Sequence, residues 1–175
     1  MRRKLSFQTK DIKTPELLVL YVLVRTDMAS MSSGRSAAQV GHATTQFEFD
    51  ASNSPSNDPE IDALRVLSGI TSTGPVNPAL DQKIAAWKAS TRGGFGTQIV
   101  LNCPSAAEMY ARVEKAQAAN VHAGIVNDPE YFVQDGRAFH PISVDTCAYI
   151  FGRKDECFPF VGDMALLMDK DFLNR

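Results

Sequence analysis

The segment Leu17-Leu18-Val19-Leu20-Tyr21-Val22-Leu23-Val24-Arg25 limits the possible folds more than any other part of the chain. Its β-branched and aromatic residues favour a strand, and no charged side chain interrupts it before Arg25. A strand with one face in water would alternate between apolar and polar. This one does not, and so reads as buried on both faces. It is less than half the length of a membrane span, so lipid is not what covers it. Helices must do so. The expected fold class is α/β, a three-layer α/β/α sandwich around a four-stranded mixed sheet.

The remaining segments supply those layers. Thr26 to Gly34 is a loop bearing Ser and Gly, and it opens a helix from Arg35 or Ser36 to Phe49. Asp50 to Pro59 is a polar linker. A short helix is predicted over Glu60 to Leu67, capped by Asp58 with Pro59 at its first position. Gly69 to Pro78 is rich in turn residues, and Pro78 to Ala89 reads as a helix carrying Trp87. Gly93-Gly94-Phe95-Gly96 is a tight turn before a strand at Thr97 to Cys103. The next helix, Pro104 to Asn120, has Ser105 as N-cap and Glu108 three residues on, a capping box. Strands are predicted at Val121 to Val126 and Val144 to Phe151, with Asn127 to Ile142 irregular between them. A last helix is expected over Glu156 to Met168, disturbed by Pro159 and Gly162. One domain thus spans 17–168, with an insertion at about 50–78. A polar basic arm (1–16) precedes it and a tail (169–175) follows.

Charge narrows the partners. The 175 residues carry 18 Lys plus Arg against 20 Asp plus Glu, a net charge of −2. That excludes a generally basic nucleic-acid coat and still allows a local basic patch. The N-terminal Met1-Arg2-Arg3-Lys4-Leu5-Ser6-Phe7 lacks the apolar core of a signal peptide. Cys103, Cys147 and Cys157 are odd in number and fit no zinc spacing. A soluble protein of the reducing cytoplasm is expected, with no metal or other cofactor.

The segment from Val24 to Ala43 is where chemistry is most concentrated. A buried strand ends at Arg25, a loop follows, and a helix opens, the place where α/β proteins put ligands. Arg35, Gln39 and His42 lie at i, i+4 and i+7 and share one helix face. Ala37, Ala38, Gly41 and Thr45 lie opposite and are small enough to press against a sheet. Spacing alone also fits a plain solvated polar face.

This segment resembles the signature of the archaeal and eukaryotic type of peptidyl-tRNA hydrolase, which runs strand, R-T-D-L, M-G-K-G-K, A-A-Q-x-x-H-A. The matches here are Arg25-Thr26-Asp27, Met31, Gly34, Ala37-Ala38-Gln39 and His42-Ala43. The later order of elements fits over about residues 17–168. Ser33 stands where the family has its first lysine, and Arg35 where it has its second. Arginine keeps the charge but cannot share a proton as lysine does. The family's second motif, D-A-G-R-T, corresponds to Asp128-Pro129-Glu130-Tyr131-Phe132, with Asp135-Gly136-Arg137 as a rival match. Asp128 is preferred because it follows the third strand directly. Pro-Glu at this point is similar to a divergent branch, the peptidyl-tRNA hydrolase domain-containing proteins.

The resemblance implies hydrolysis of the ester of peptidyl-tRNA. It assigns Asp128 to water, Arg35 to developing negative charge or a phosphate, and Gln39 and His42 to positioning. Arg25, Ser33, Lys83, Lys88 and Arg92 are the expected tRNA contacts. Peptidyl-tRNA or another RNA is the expected partner, and a homodimer fits the family; neither DNA nor a membrane is expected. The alternatives are a relative that has lost the reaction and binds RNA or a protein, and an interaction protein working through the insertion. His122, His140, Trp87 and Asp27 read as structural residues.

Overall fold

The computed structural model describes residues 17–28, 30–52 and 78–168. The arm, the tail and the short helix expected at 60–67 lie outside the described residues. Eight elements are described: β1 (Leu18–Arg25), α1 (Ser33–Ser52), α2 (Pro78–Ala89), β2 (Gln98–Cys103), α3 (Ala106–Ala118), β3 (His122–Asp135), β4 (Ala138–Arg153) and α4 (Lys154–Val161). The sheet order is β2-β1-β4-β3. β1 and β2 are parallel, and the other two pairs are antiparallel. The fold is α/β with a four-stranded mixed sheet, as expected.

β1 is buried on both faces because both of its neighbours and both layers of helix lie against it. Leu18, Leu20, Val22 and Val24 enter one core with Phe47 of α1 and Leu80 and Trp87 of α2. Val19, Tyr21 and Leu23 enter a second core with Met109 and Val113 of α3 and Cys157 and Val161 of α4. Each large side chain so buried contributes roughly 1.5–3 kcal/mol. Trp87 packs edge-on against Phe47 and Phe151, and its indole N–H donates to the Thr97 carbonyl at 2.9 Å. It is core, not a stacking platform. Gly96 makes this possible: its φ is +68°, and a Cβ there would lie 1.9 Å from the indole ring. Among the described residues no helix is long and apolar enough to cross a membrane.

Four expectations are corrected. First, 127–142 is not irregular. β3 and β4 continue as a paired hairpin from Asn127 and Asp145 to Asp135 and Ala138, closed by Gly136 at φ +58°. A two-residue loop with glycine first suits the twist of a hairpin. Second, the last helix stops at Val161. Residues 164–167 instead run beside β2, where Ala165 O accepts from Asn102 N and Leu167 N donates to Val100 O. The edge of β2 offers backbone groups that this segment satisfies. Third, α1 extends to Ser52, and the face it buries is Ser36, Gln39, Ala43, Phe47 and Ala51. Ala37, Ala38, Gly41 and Thr45 are exposed. Burial of Phe47 decides that rotation, because the small residues gain far less from it. Fourth, only half of the capping box forms. Ser105 Oγ accepts Glu108 N at 3.1 Å, while the Glu108 carboxylate accepts from Arg112.

Candidate functional site

The inward rotation of α1 carries Gln39 to the sheet, where it is only 3% exposed. A buried amide needs partners for both of its ends. Gln39 Nε2 donates to Asp128 Oδ2 at 2.8 Å, and Oε1 accepts from Thr146 Oγ1 at 2.5 Å. Thr146 is fully buried. A hydroxyl donating to the carbonyl end fixes the amide so that its nitrogen faces the carboxylate. Cys147 Sγ, whose thiol burial pushes up to about 12, donates to the Gln39 carbonyl at 3.4 Å.

Two irregularities in the hairpin place these groups. The register shifts between Val126 and Asn127, leaving Thr146 as the extra residue between Asp145 and Cys147. It shifts again between Asp128 and Tyr131. Such bulges re-aim side chains. Asp128 is thereby turned toward α1. Its Oδ1 accepts Glu130 N at 3.1 Å, and the side chain is 12% exposed. His42, one turn beyond Gln39, places Nδ1 3.3 Å from Gln39 Oε1 and 3.8 Å from Asp128 Oδ2. It is 53% exposed, so a solvent-reachable imidazole stands beside a mostly covered carboxylate. This pairing can orient water and handle a proton.

Arg35 lies on the same side of the sheet but bonds elsewhere. Its NH1 donates to Phe132 O at 2.8 Å and to Ser30 O at 3.1 Å. Its guanidinium carbon sits 5.3 Å from the centre of the Tyr131 ring. Tyr131 is buried, and its hydroxyl accepts from Ser30 Oγ at 3.0 Å. Asp128, not Asp135, meets Gln39; Asp135-Gly136-Arg137 forms the end of the hairpin.

The expected tRNA contacts are dispersed. Arg25 makes two bonds to Asp27, at 2.9 and 2.8 Å, and donates to Asp145 O. The bond from Arg25 holds the Asp27 carboxyl below its usual range. Thr26 Oγ1 donates to Asn102 Oδ1, so Arg25-Thr26-Asp27 braces the end of β1. Ser33 is exposed at the start of α1. Lys83 pairs with Glu156 at 3.3 Å and Lys88 with Glu48 at 2.5 Å. Arg92 is exposed. Lys83 shares a cavity wall with His122, six residues or roughly 20 Å along β3 from Asp128.

His122 packs between Phe47 and Tyr149, and burial lowers its pKa. His140 is exposed on β4. Among the described residues no group of three His, Cys, Asp or Glu side chains is placed to hold a metal ion. Sequence reasoning did not single out Thr146 or Ser30, which the structure adds to the candidate site. A lone hydroxyl in the apolar run of β4 was the available signal for Thr146.

No curated protein matches this chain. The family model described as peptidyl-tRNA hydrolase PTH2 matches residues 18–167. With that match over most of its length, the chain belongs to the PTH2 family of peptidyl-tRNA hydrolases.

Proposed function

We propose that this chain hydrolyses the ester joining a peptide to the terminal ribose of tRNA, releasing peptide and tRNA. The observation that carries the reading is the Gln39–Asp128 hydrogen bond, which joins two motifs 89 residues apart. Asp128 orients the water and draws off its proton as the oxygen attacks the ester carbonyl. The ester C–O bond then breaks, and the ribose oxygen leaves with a proton. Gln39 holds the carboxylate in place, and His42 positions substrate beside it. Arg35 supplies the nearest unneutralised positive charge on α1. Arg25, Ser33, Lys83, Lys88 and Arg92 serve the tRNA body, more weakly where a carboxylate already pairs with the cation. The cytoplasm is the site of action on this reading, and a homodimer is the form to expect.

Release of labelled peptide from a defined peptidyl-tRNA tests it. Asp128→Asn is expected to lower turnover by about 100-fold or more. A second reading, a relative that has lost the reaction and binds RNA or a protein, is favoured by one feature. Arg35 spends one terminal nitrogen on two backbone carbonyls and rests on Tyr131, with Phe132 half-exposed beside it. Salt-sensitive tRNA binding without any release would select that reading.

A further inference from the structure

We propose that His42 is the proton donor to the departing ribose, acting through Nε2, with Asp128 and Gln39 fixing the tautomer of its ring. This rests on the reading above and supplies the proton with which the ribose oxygen leaves.

The tautomer follows from a chain of hydrogen bonds. Both oxygens of the Asp128 carboxylate accept from neutral donors, Glu130 N at 3.1 Å and Gln39 Nε2 at 2.8 Å. An ionised carboxylate only accepts, so the Gln39 nitrogen faces it and the Gln39 oxygen faces away. Thr146 Oγ1 donates to that oxygen at 2.5 Å and secures the same orientation from β4. Oε1 is therefore the atom that His42 Nδ1 meets at 3.3 Å, and the next is Asp128 Oδ2 at 3.8 Å. Both are acceptors. Nδ1 thus carries a hydrogen in the neutral and in the charged ring alike. The proton that His42 gains and loses is the one on Nε2.

Nε2 is the free end of the ring. It has no hydrogen-bond partner among the described residues, and the side chain is 53% exposed. Of the elements packed on α1, β3 turns the Asp128 carboxylate toward it, and β4 the neutral Thr146 and Cys147. β1 is apolar up to Arg25, which pairs with Asp27, and α2 brings Lys88, which pairs with Glu48. On α1 itself, Arg35 lies two turns earlier and is held by carbonyls. Asp128 is the charged group in reach of the ring, and it stands behind Nδ1.

The proton transfers balance. Water attacks the ester carbonyl and gives one proton to Asp128. The C–O bond to the ribose breaks, its electron pair stays on the ribose oxygen, and that oxygen takes the Nε2 proton. The imidazole is left neutral with its Nδ1 hydrogen in place. Solvent then returns a proton to Nε2 and removes the one on Asp128. A positioned general acid contributes roughly 10²–10⁴-fold.

The first test is the pH dependence of steady-state peptide release from peptidyl-tRNA. Because the charged ring is the donor, kcat of the unmodified protein should fall by one proton's slope as pH rises between about 6 and 8. His42→Asn should lower kcat about 100-fold with KM within about twofold, and that alkaline fall should vanish. A raised KM with kcat and its pH dependence retained overturns the proposal and leaves His42 a positioning residue. The second test is the imidazole proton–nitrogen correlation spectrum of labelled protein above about pH 8, with His42→Asn identifying the signals. Nδ1 should be protonated and Nε2 bare. The opposite tautomer overturns the proposal whatever the rate of release. Absence of release by the unmodified protein overturns the hydrolase reading and the proposal together, whereas release with an alkaline fall that persists in His42→Asn overturns the proposal alone.

Discussion

Thr146 shows how much depends on one hydroxyl. Without its proton on Oε1, Gln39 can turn its amide over and set carbonyl oxygen against the Asp128 carboxylate. Thr146→Val keeps the shape and removes the donor. It is expected to cost about 1–3 kcal/mol in stability, read from the denaturant midpoint. Peptide release should fall with it, and Thr146→Ser should restore both. Gly96→Ala tests a different residue-scale constraint. The substitution combines a left-handed φ of +68° with a Cβ 1.9 Å from the Trp87 ring. About 2–5 kcal/mol is expected, with Trp87 fluorescence altered in the folded state. Both residues were visible in the sequence, and neither could be ranked there. A threonine in a strand and a glycine in a turn are ordinary until their neighbours are known.

At the scale of elements, the β3–β4 hairpin is the part that assembles the candidate site. It extends beyond the body of the sheet, turns Asp128 toward α1 through its bulges, and supplies the Phe132 carbonyl to Arg35. Gly136 at φ +58° closes it. Gly136→Val is expected to cost about 1–2 kcal/mol. Hydrogen exchange should speed up at residues 131–142 before it changes in β1. The sequence contained the cue, since Asp135-Gly136 between chain segments of strand-forming residues is a hairpin signal. It was obscured because Pro129, Gln134 and Pro141 interrupt the apolar alternation by which strands are recognised. The last helix was overextended for the converse reason. Met164 to Met168 is apolar enough to continue a helix, but the open edge of β2 offered backbone partners that a further helical turn could not satisfy.

For the whole molecule, pH dependence follows from groups whose environment differs between the folded and unfolded chain. Burial lowers the pKa of His122 from its ordinary 6.5. As pH falls through that value the unfolded chain takes up a proton that the folded protein resists, so stability falls with it. Melting temperature should therefore drop between pH 7.5 and 5.5, and His122→Gln should flatten the drop. The bond from Arg112 holds Asp163 at about 2, below its ordinary 3.8. That contribution is complete above the ordinary value and is lost as pH falls toward 2. Arg112 joins α3 to the end of α4 by bonds to Glu108, Asp163 and the Phe160 carbonyl. Arg112→Ala should thus move the acid-unfolding midpoint upward, followed by circular dichroism.

Burial of β1 on both faces, the α/β class and the family were all determined by the sequence alone. Side-chain direction along a strand or helix repeats with a fixed period, so local pattern reveals what each element must bury. Tertiary structure alone decided which face of α1 turns inward, that Thr146 orients Gln39, and that Arg35 is held by carbonyls rather than by a carboxylate. Those outcomes depend on contacts between residues about a hundred positions apart, such as Gln39 with Thr146 at a separation of 107. A polar side chain accepts whichever partner folding brings within reach, and no local period encodes that partner.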